Sequence, residues 1–396
     1  MPQPSAGATD AEDAATVARL RPLQAAMGIT RLADLTGLDR IGVPVFAAIR
    51  PNARSVAVSQ GKGLTKDEAR VSALMEAVES WHAEHVRATL LLAAPDELDR
   101  PRPRGLERLP MRRHRHLDLG RSCLWTEGRN LLDGSAVWVP YELVHVDYRL
   151  PQPPALGCYP VSSNGLGAGL TLAHASRHAL CELIERDAYS LWQQLPTSAK
   201  AATSLDPASI EDAATLELLD RLAARGFATA LFDITSDLAV PACLAAIADR
   251  RDPAGHPGLG TACHPVAATA LRKALLEAVQ VRTTYIAGAR DDLTPAEFEQ
   301  AGSNDKRRAV EALLRLAVGA RRALPPESAT EDDAVRLDGL LAASSSAGLD
   351  EVIRVDLARP EFGLAVVRMI VPRLEGCADD ADYAPGERAR RWRAAS

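Results

Sequence analysis

Three stretches of the chain place alanine and leucine three and four residues apart. They are Ala69-Arg-Val-Ser-Ala-Leu-Met-Glu76-Ala-Val-Glu79, Ala175-Ser-Arg-His-Ala-Leu-Cys-Glu182-Leu-Ile-Glu185 and Ala270-Leu-Arg-Lys-Ala-Leu-Leu-Glu277-Ala-Val-Gln280. That spacing gives each an apolar stripe along a helix. Overlaid without gaps, they share Ala-x-x-x-Ala-Leu-x-Glu, then Ala or Leu, Val or Ile, and Glu or Gln, at intervals of 106 and 95 residues. Each follows a glycine turn: Gly61-Lys-Gly-Leu-Thr65, Gly167-Ala-Gly-Leu-Thr171 and Gly258-Leu-Gly260. Thr65 and Glu68 have the spacing of a capping box. Elsewhere, 123–142 and 157–163 read as strands around the hairpin signal Leu131-Leu-Asp-Gly-Ser135. Residues 208–225 read as a helix ending at Gly226, followed by a strand through Leu231. Residues 295–346 read as polar helix with a break at Ser344–Gly348, ahead of strands Val352–Asp356 and Leu364–Val371. Strands and helices do not alternate regularly, which predicts α+β layers with mixed sheets.

The polar positions of the repeat carry the chemistry. Glu76 and Glu79 share one helical face, as do Glu182 and Glu185, with Cβ atoms about 5–6 Å apart. Ser72, His178 and Lys273 lie one turn earlier, and Arg186 and Arg282 near the ends of their faces. A lone Glu-x-x-Glu is ordinarily a solvated helix face. Repeated behind glycine turns, it predicts a shared cleft, where carboxylates about 5 Å apart repel by about 3 kcal/mol at an effective dielectric near 20. A hard cation such as magnesium would relieve this, completing its shell with phosphate oxygens held by nearby basic residues and helix N-termini.

Composition narrows the class. The chain has 396 residues, 47% hydrophobic and 25% charged, with net charge −6. The balance is that of a globular protein. Apolar runs are too short for a bilayer span, and net acidity argues against general nucleic-acid binding. The N-terminus lacks a basic-then-apolar signal, so a cytoplasmic enzyme or binding protein is expected. Six cysteines without C-x-x-C spacing mark neither a disulfide scaffold nor a zinc site, and Cys181 reads as core. Eight arginines with His114 and His116 crowd residues 100–121. The simpler reading is an exposed proline-rich connection; the functional one is a docking surface for an acidic leader peptide or partner. The expected organisation is a flexible segment 1–29, an ATP-binding core 30–290, and a segment 291–396 closing the same domain.

Several stretches resemble the YcaO superfamily: Val58-Ser-Gln-Gly-Lys-Gly-Leu-Thr65, Ser72 through Glu79, Cys181-Glu-Leu-Ile-Glu-Arg-Asp-Ala188 and Glu277-Ala-Val-Gln-Val-Arg282. Thr36 through Val45 with Arg50-Pro51, and Ser162-Ser-Asn-Gly165, resemble it too. The resemblance implies a YcaO-type fold that binds ATP and magnesium without a Walker motif. It also implies ATP-dependent activation of a peptide backbone amide: a nucleophile adds to the carbonyl, the oxygen is phosphorylated, and phosphate leaves. By that resemblance Glu76, Glu79, Glu182 and Glu185 hold magnesium, and Arg186 and Gln280 contact the nucleotide. Lys62, Ser72, Glu277 and Arg282 complete the cofactor-binding set; no catalytic residue is singled out. The ending Tyr383-Ala-Pro-Gly-Glu-Arg388, without a P-x-P-x-P tail, resembles the thioamide-forming group that works with a TfuA partner. An azoline-forming cyclodehydratase and a non-catalytic scaffold presenting the peptide to partner enzymes are the alternatives, with a homodimer as one open arrangement. Ser80, Leu170, His174 and His178 depart from the family pattern, and the last three touch the expected nucleotide contacts.

Overall fold

The computed structural model describes residues 6–102, 105–298, 300–317, 322–325, 332–376 and 383–395. Helices α1 (Ala6–Leu20) and α2 (Leu23–Ala26) precede an antiparallel sheet of β1 (Arg31–Asp34), β2 (Val45–Ile49) and β3 (Val58–Lys62), followed by α3 (Lys66–Glu84). Strands β4 (Leu90–Ala93), β5 (Cys123–Asn130), β6 (Ala136–Pro140) and β7 (Leu166–Gly169) lead into α4 (Leu172–Gln193). After α5 (Thr197–Ala202) and α6 (Ala213–Ala224) comes a second antiparallel sheet, β8 (Phe227–Asp233), β9 (Ala242–Asp249) and β10 (Gly258–Cys263), then α7 (Ala267–Ala287). Helices α8 (Pro295–Phe298), α9 (Gln300–Leu316) and α10 (Asp333–Ser346) precede β11 (Ile353–Asp356), β12 (Ala365–Ile370) and α11 (Glu387–Ala395). The late strands complete a sheet begun early, in the order β4-β5-β11-β12-β7 with β6 on β5.

Each repeat is thus a strand–turn–helix unit: β3–α3, β7–α4 and β10–α7. The glycines let helix and strand meet at backbone distance. A Cβ on Gly61 would sit 2.0 Å from Ala73 N, one on Gly167 2.4 Å from Ala175 O, and one on Gly260 2.3 Å from Ala274 O. The facing positions Ala69, Ala73, Ala175, Ala179, Ala270 and Ala274 are fully buried. Thr65 Oγ accepts from Glu68 N at 3.2 Å while Glu68 accepts from Leu64 N at 2.6 Å. Thr171 caps α4 by accepting from His174 N at 3.1 Å. No side chain caps α7.

The structure revises several expected boundaries. Residues 157–163 are not a strand. Gly157 takes a φ of +75° and donates to buried Glu142, and the Cys158 carbonyl accepts from Arg112 N, so the segment's hydrogen bonds leave any ladder. The helix expected from 208 starts at Ala213, where Asp212 accepts from Thr215 N at 2.9 Å. Residues 295–346 form three helices, and 318–321 and 326–331 lie outside the described residues. Within 1–29, expected as flexible, α1 forms and Leu20 and Met27 enter the core at 1% exposure. Cys123, Cys158, Cys181, Cys243 and Cys263 are free and buried, consistent with a core role; Cys377 lies outside the described residues.

The C-terminal segment is fastened beneath α4. Glu375 accepts from Tyr383 Oη at 2.7 Å and from the N–H groups of Gly386 and Ala389 at 2.8 Å. Arg388 Nε donates to Asp187 at 2.9 Å. Asp187 is fully buried, and burial pushes its carboxyl up to about 6 against the pull of Arg388.

The backbone contact yields a stability prediction. Gly260→Ala must force apart helix and strand, so urea unfolding should show a loss of about 1–3 kcal/mol or more. Gly37→Ala, with no atom within 4 Å of its added Cβ, is the control.

Candidate active site

The acidic side chains link the three units into a closed ring. In each unit the first glutamate bonds to its own strand or the residue leading into it: Glu76 accepts from Gln60 N at 3.3 Å, Glu182 from Gly165 N, just before β7, at 3.1 Å, and Glu277 from the Thr261 backbone. The residue three positions on reaches the next unit. Glu79 accepts from Ala168 N of β7 at 2.7 Å; Glu185 accepts from Thr261 Oγ at 2.6 Å and Cys263 N at 3.2 Å, both of β10. Gln280 closes the circuit by donating from Nε2 to the Gln60 carbonyl of β3 at 2.8 Å. This explains the Glu, Glu, Gln pattern. The first two links meet backbone donors and need an acceptor, whereas the third meets a carbonyl and needs a donor.

Cations lie between the carboxylates. Lys62 Nζ pairs with Glu277 at 2.8 Å, and Arg186 lies 3.3 Å from Glu185 and 3.8 Å from Glu182. They do not balance the site. Burial pushes the Glu76 carboxyl up to about 7, Arg290 and Lys62 opposing and Glu182 adding to the rise. Glu185 is likewise raised to about 7 by burial, with Arg186 opposing and Glu277 and Glu182 repelling. Burial and the Glu182 charge hold Glu79 well above the ordinary carboxyl value, and burial raises Glu182. Glu277 moves the other way, because Lys62 and Arg186 together outweigh its burial. Burial and neighbouring Lys273 push His178 well below its usual range, so it is neutral at neutral pH.

The expected residues converge with one exception. Glu76, Glu79, Glu182, Glu185, Glu277, Lys62, Arg186 and Gln280 line the ring, with half-buried Ser72 one turn before Glu76. Arg282 is drawn away: it is buried, and its nitrogens go to Asp39 at 2.9 Å, the His256 carbonyl and Asp249 at 3.6 Å. His174 also turns from the carboxylates, to Asp333 at 2.9 Å.

Two residues not singled out individually join the site. Gln60 Nε2 and Arg368 Nη1 are buried without a hydrogen-bond partner, as is Oδ1 of Asn164, the chain neighbour of Gly165. Arg368 otherwise donates to the Leu143 and Ser162 carbonyls at 2.7 Å, and burial lowers it to about 10, with Glu182 drawing it up. A lone arginine in the apolar run Ala365–Ile370 is a signal that could have found it.

These features bear on which ligand fits. Among the described residues no three His, Cys, Asp or Glu side chains are gathered to hold a metal ion by themselves. The carboxylates are spread along strand edges, and Glu76, Glu79 and Glu182 each give a single oxygen to the strand. An all-oxygen, incomplete donor set with orphaned donors beside it suits magnesium completed by phosphate oxygens, not a closed protein cage.

Fold and site thus define a class: an α+β protein in which a ring of charged side chains links three quasi-equivalent strand–helix units. The family model described as YcaO cyclodehydratase, ATP- and Mg2+-binding, matches residues 60–375. The chain belongs to the YcaO family. A protein from the tfuA 3' region of Rhizobium leguminosarum bv. trifolii is 36% identical over 390 residues, covering 94% of this chain and 90% of the relative. The YcaO structure from Methanopyrus kandleri bound with AMPPCP and Mg2+ matches with a TM-score of 0.72 at 22% identity, covering 94% of each chain. A heterocyclase in complex with substrate and cofactor matches with the same TM-score at 21% identity; the likeness covers 91% of this chain and 52% of that one. At these identities the two structures show a shared fold. Among the described residues no helix is long and apolar enough to cross a membrane.

Two measurements check this geometry. Gln280→Glu turns a donor into an acceptor facing the Gln60 carbonyl and should cost about 1–3 kcal/mol in denaturant unfolding. The raised carboxyls also fix a pH dependence. With Glu76 and Glu185 near 7 in the fold against an ordinary 4.5, the folded chain binds more protons than the unfolded one between those values. Their contribution to stability therefore falls as pH rises through that window. Thermal melting without ligand from about pH 5 to 7.5 should show this decline, and Glu76→Gln should flatten it.

Proposed function

We propose that this protein uses Mg-ATP to activate a backbone amide of a peptide or protein, so that sulfide, supplied with a TfuA-like partner, adds to the carbonyl carbon and the phosphorylated oxygen leaves as phosphate, giving a thioamide and ADP. The observation that carries the enzymatic reading is the ring itself. Four glutamates of two helices gather where the three units meet, their carboxyls raised by burial and further by one another's charge, an arrangement a divalent cation stabilises. Glu76, Glu79 and Glu182 would turn their second oxygens to magnesium, with Glu185 sharing oxygens that already hold β10. Lys62, Arg186 and Arg368 would supply positive charge to the phosphate oxygens, and Ser72 and Gln280 would contact the nucleotide. Bound Mg-ATP supplies the phosphoryl group that makes the amide oxygen able to leave. The protein's contribution is positioning and charge neutralisation, which phosphoryl transfer needs more than a protein nucleophile. The thioamide product is supported by the relative from the tfuA 3' region, whose likeness spans nearly the whole chain.

The test is magnesium-dependent ATP hydrolysis with and without a peptide substrate. Glu76→Gln and Glu182→Gln should each lower it about a hundredfold or more while the protein stays folded. Wild-type turnover in both variants would refute the carboxylate cleft as the site. Mass spectrometry of the peptide then reads the product: oxygen replaced by sulfur for the thioamide, loss of water for the azoline.

A further inference from the structure

A second charged surface lies apart from the carboxylates. Arg112, Arg113, His114, Arg115, His116 and Arg121 are all exposed. Their sequence alone is equally that of a loose connection, but the fold docks the segment on two sides. Arg112 N donates to the Cys158 carbonyl at 2.8 Å, Arg112 forms a bridge with Tyr383, and Arg113 donates to the Tyr383 carbonyl at 3.1 Å. So fixed, the segment frames two adjoining concavities of about 440 and 550 Å³ that share Arg112, His114 and Arg115.

The acids on their rims are already engaged. Asp118 accepts from Gly120 N at 3.0 Å, Glu107 lies 3.9 Å from Arg108, Glu387 pairs with Arg391, and Glu375 holds the C-terminal segment. Among the described residues, Arg115 and Arg121 have no carboxylate at ion-pair distance. The nearby carboxylate that feels Arg121 and Arg112, Glu142, is buried and already accepts from Gly157 N. Exposed guanidinium groups match carboxylates, which they bind through paired N–H donors. The chain's net charge of −6 disfavours a long polyanion and leaves a short acidic segment as the better occupant.

Distance to the carboxylate ring bears on which segment. The second concavity ends at Leu156 and Gly157, and eight residues on, Gly165 donates to Glu182. Eight residues span at most about 28 Å. The arginine surface and the ring therefore lie within the span of an extended peptide of about ten residues. We propose that this surface binds an acidic segment of the peptide to be modified, with Arg113, Arg115 and Arg121 pairing with its carboxylates. The inference rests on the amide-activating reading only in naming the peptide as occupant.

Fluorescence anisotropy on the full chain tests it, with a labelled probe of about ten residues alternating Glu and Gly. Its Gln-for-Glu counterpart and a thymidine strand of similar length are the comparisons. The acidic probe should bind, and the Gln counterpart should bind about tenfold more weakly or worse. The combined Arg115→Glu and Arg121→Glu variant should lose a similar factor with its melting temperature unchanged, since these side chains are exposed. Equal binding of the Gln counterpart, undiminished binding by the variant, or tighter binding of the thymidine strand would overturn the proposal. Charge-dependent peptide binding by a protein that hydrolyses no ATP would support this surface and count against the amide-activating reading alone.

Discussion

The organisation of this protein depends on three places where a helix lies directly on a strand, backbone against backbone. Only glycine at 61, 167 and 260 permits the approach, with alanines on the facing helix. Close contact brings the helical face carrying the glutamates to the strand edge. There a carboxylate three residues along can reach the next unit's N–H. A side chain at any of the three glycines would lift the helix and lengthen the carboxylate links. Packing and charge placement are therefore one constraint here.

The ring keeps its carboxylates at a cost that the fold meets locally. Each takes a strand N–H or hydroxyl, and Lys62 and Arg186 interleave among them. Glu277, beside both cations, is lowered, while burial and weaker compensation raise Glu79 well above the ordinary carboxyl value and Glu76 and Glu185 to about 7. The ring therefore has unmet demand for positive charge, and the orphaned polar atoms of Gln60 and Arg368 lie beside it. A preorganised site with incomplete internal pairing is what an electrostatic catalyst requires.

The late part of the chain is structural support for that cleft. Strand β12 lies against β7, with Arg368 opposite Leu166, and so carries its guanidinium to the Glu182 side of the ring. The Tyr383-to-Arg388 segment closes on Glu375 and Asp187, two residues beyond Glu185. Together they brace the helix that supplies two of the carboxylates.

The sequence by itself determined what is local. The three helices, the threonine cap at 65, the glycine turns and the glutamate faces all follow from spacing within about twenty residues, and the family resemblance rests on the same stretches. The tertiary structure alone decided what depends on distant pairing. It assigned Gln280 to the Gln60 carbonyl, withdrew Arg282 to Asp39 and Asp249, turned His174 to Asp333, and brought Arg368 beside Glu182. It also turned an arginine-rich connection into a docked surface, because the partners of Arg112 and Arg113 at Cys158 and Tyr383 are remote in sequence. Periodicity reveals which face of a helix is polar; which strand that face meets is set only when the units close around one another.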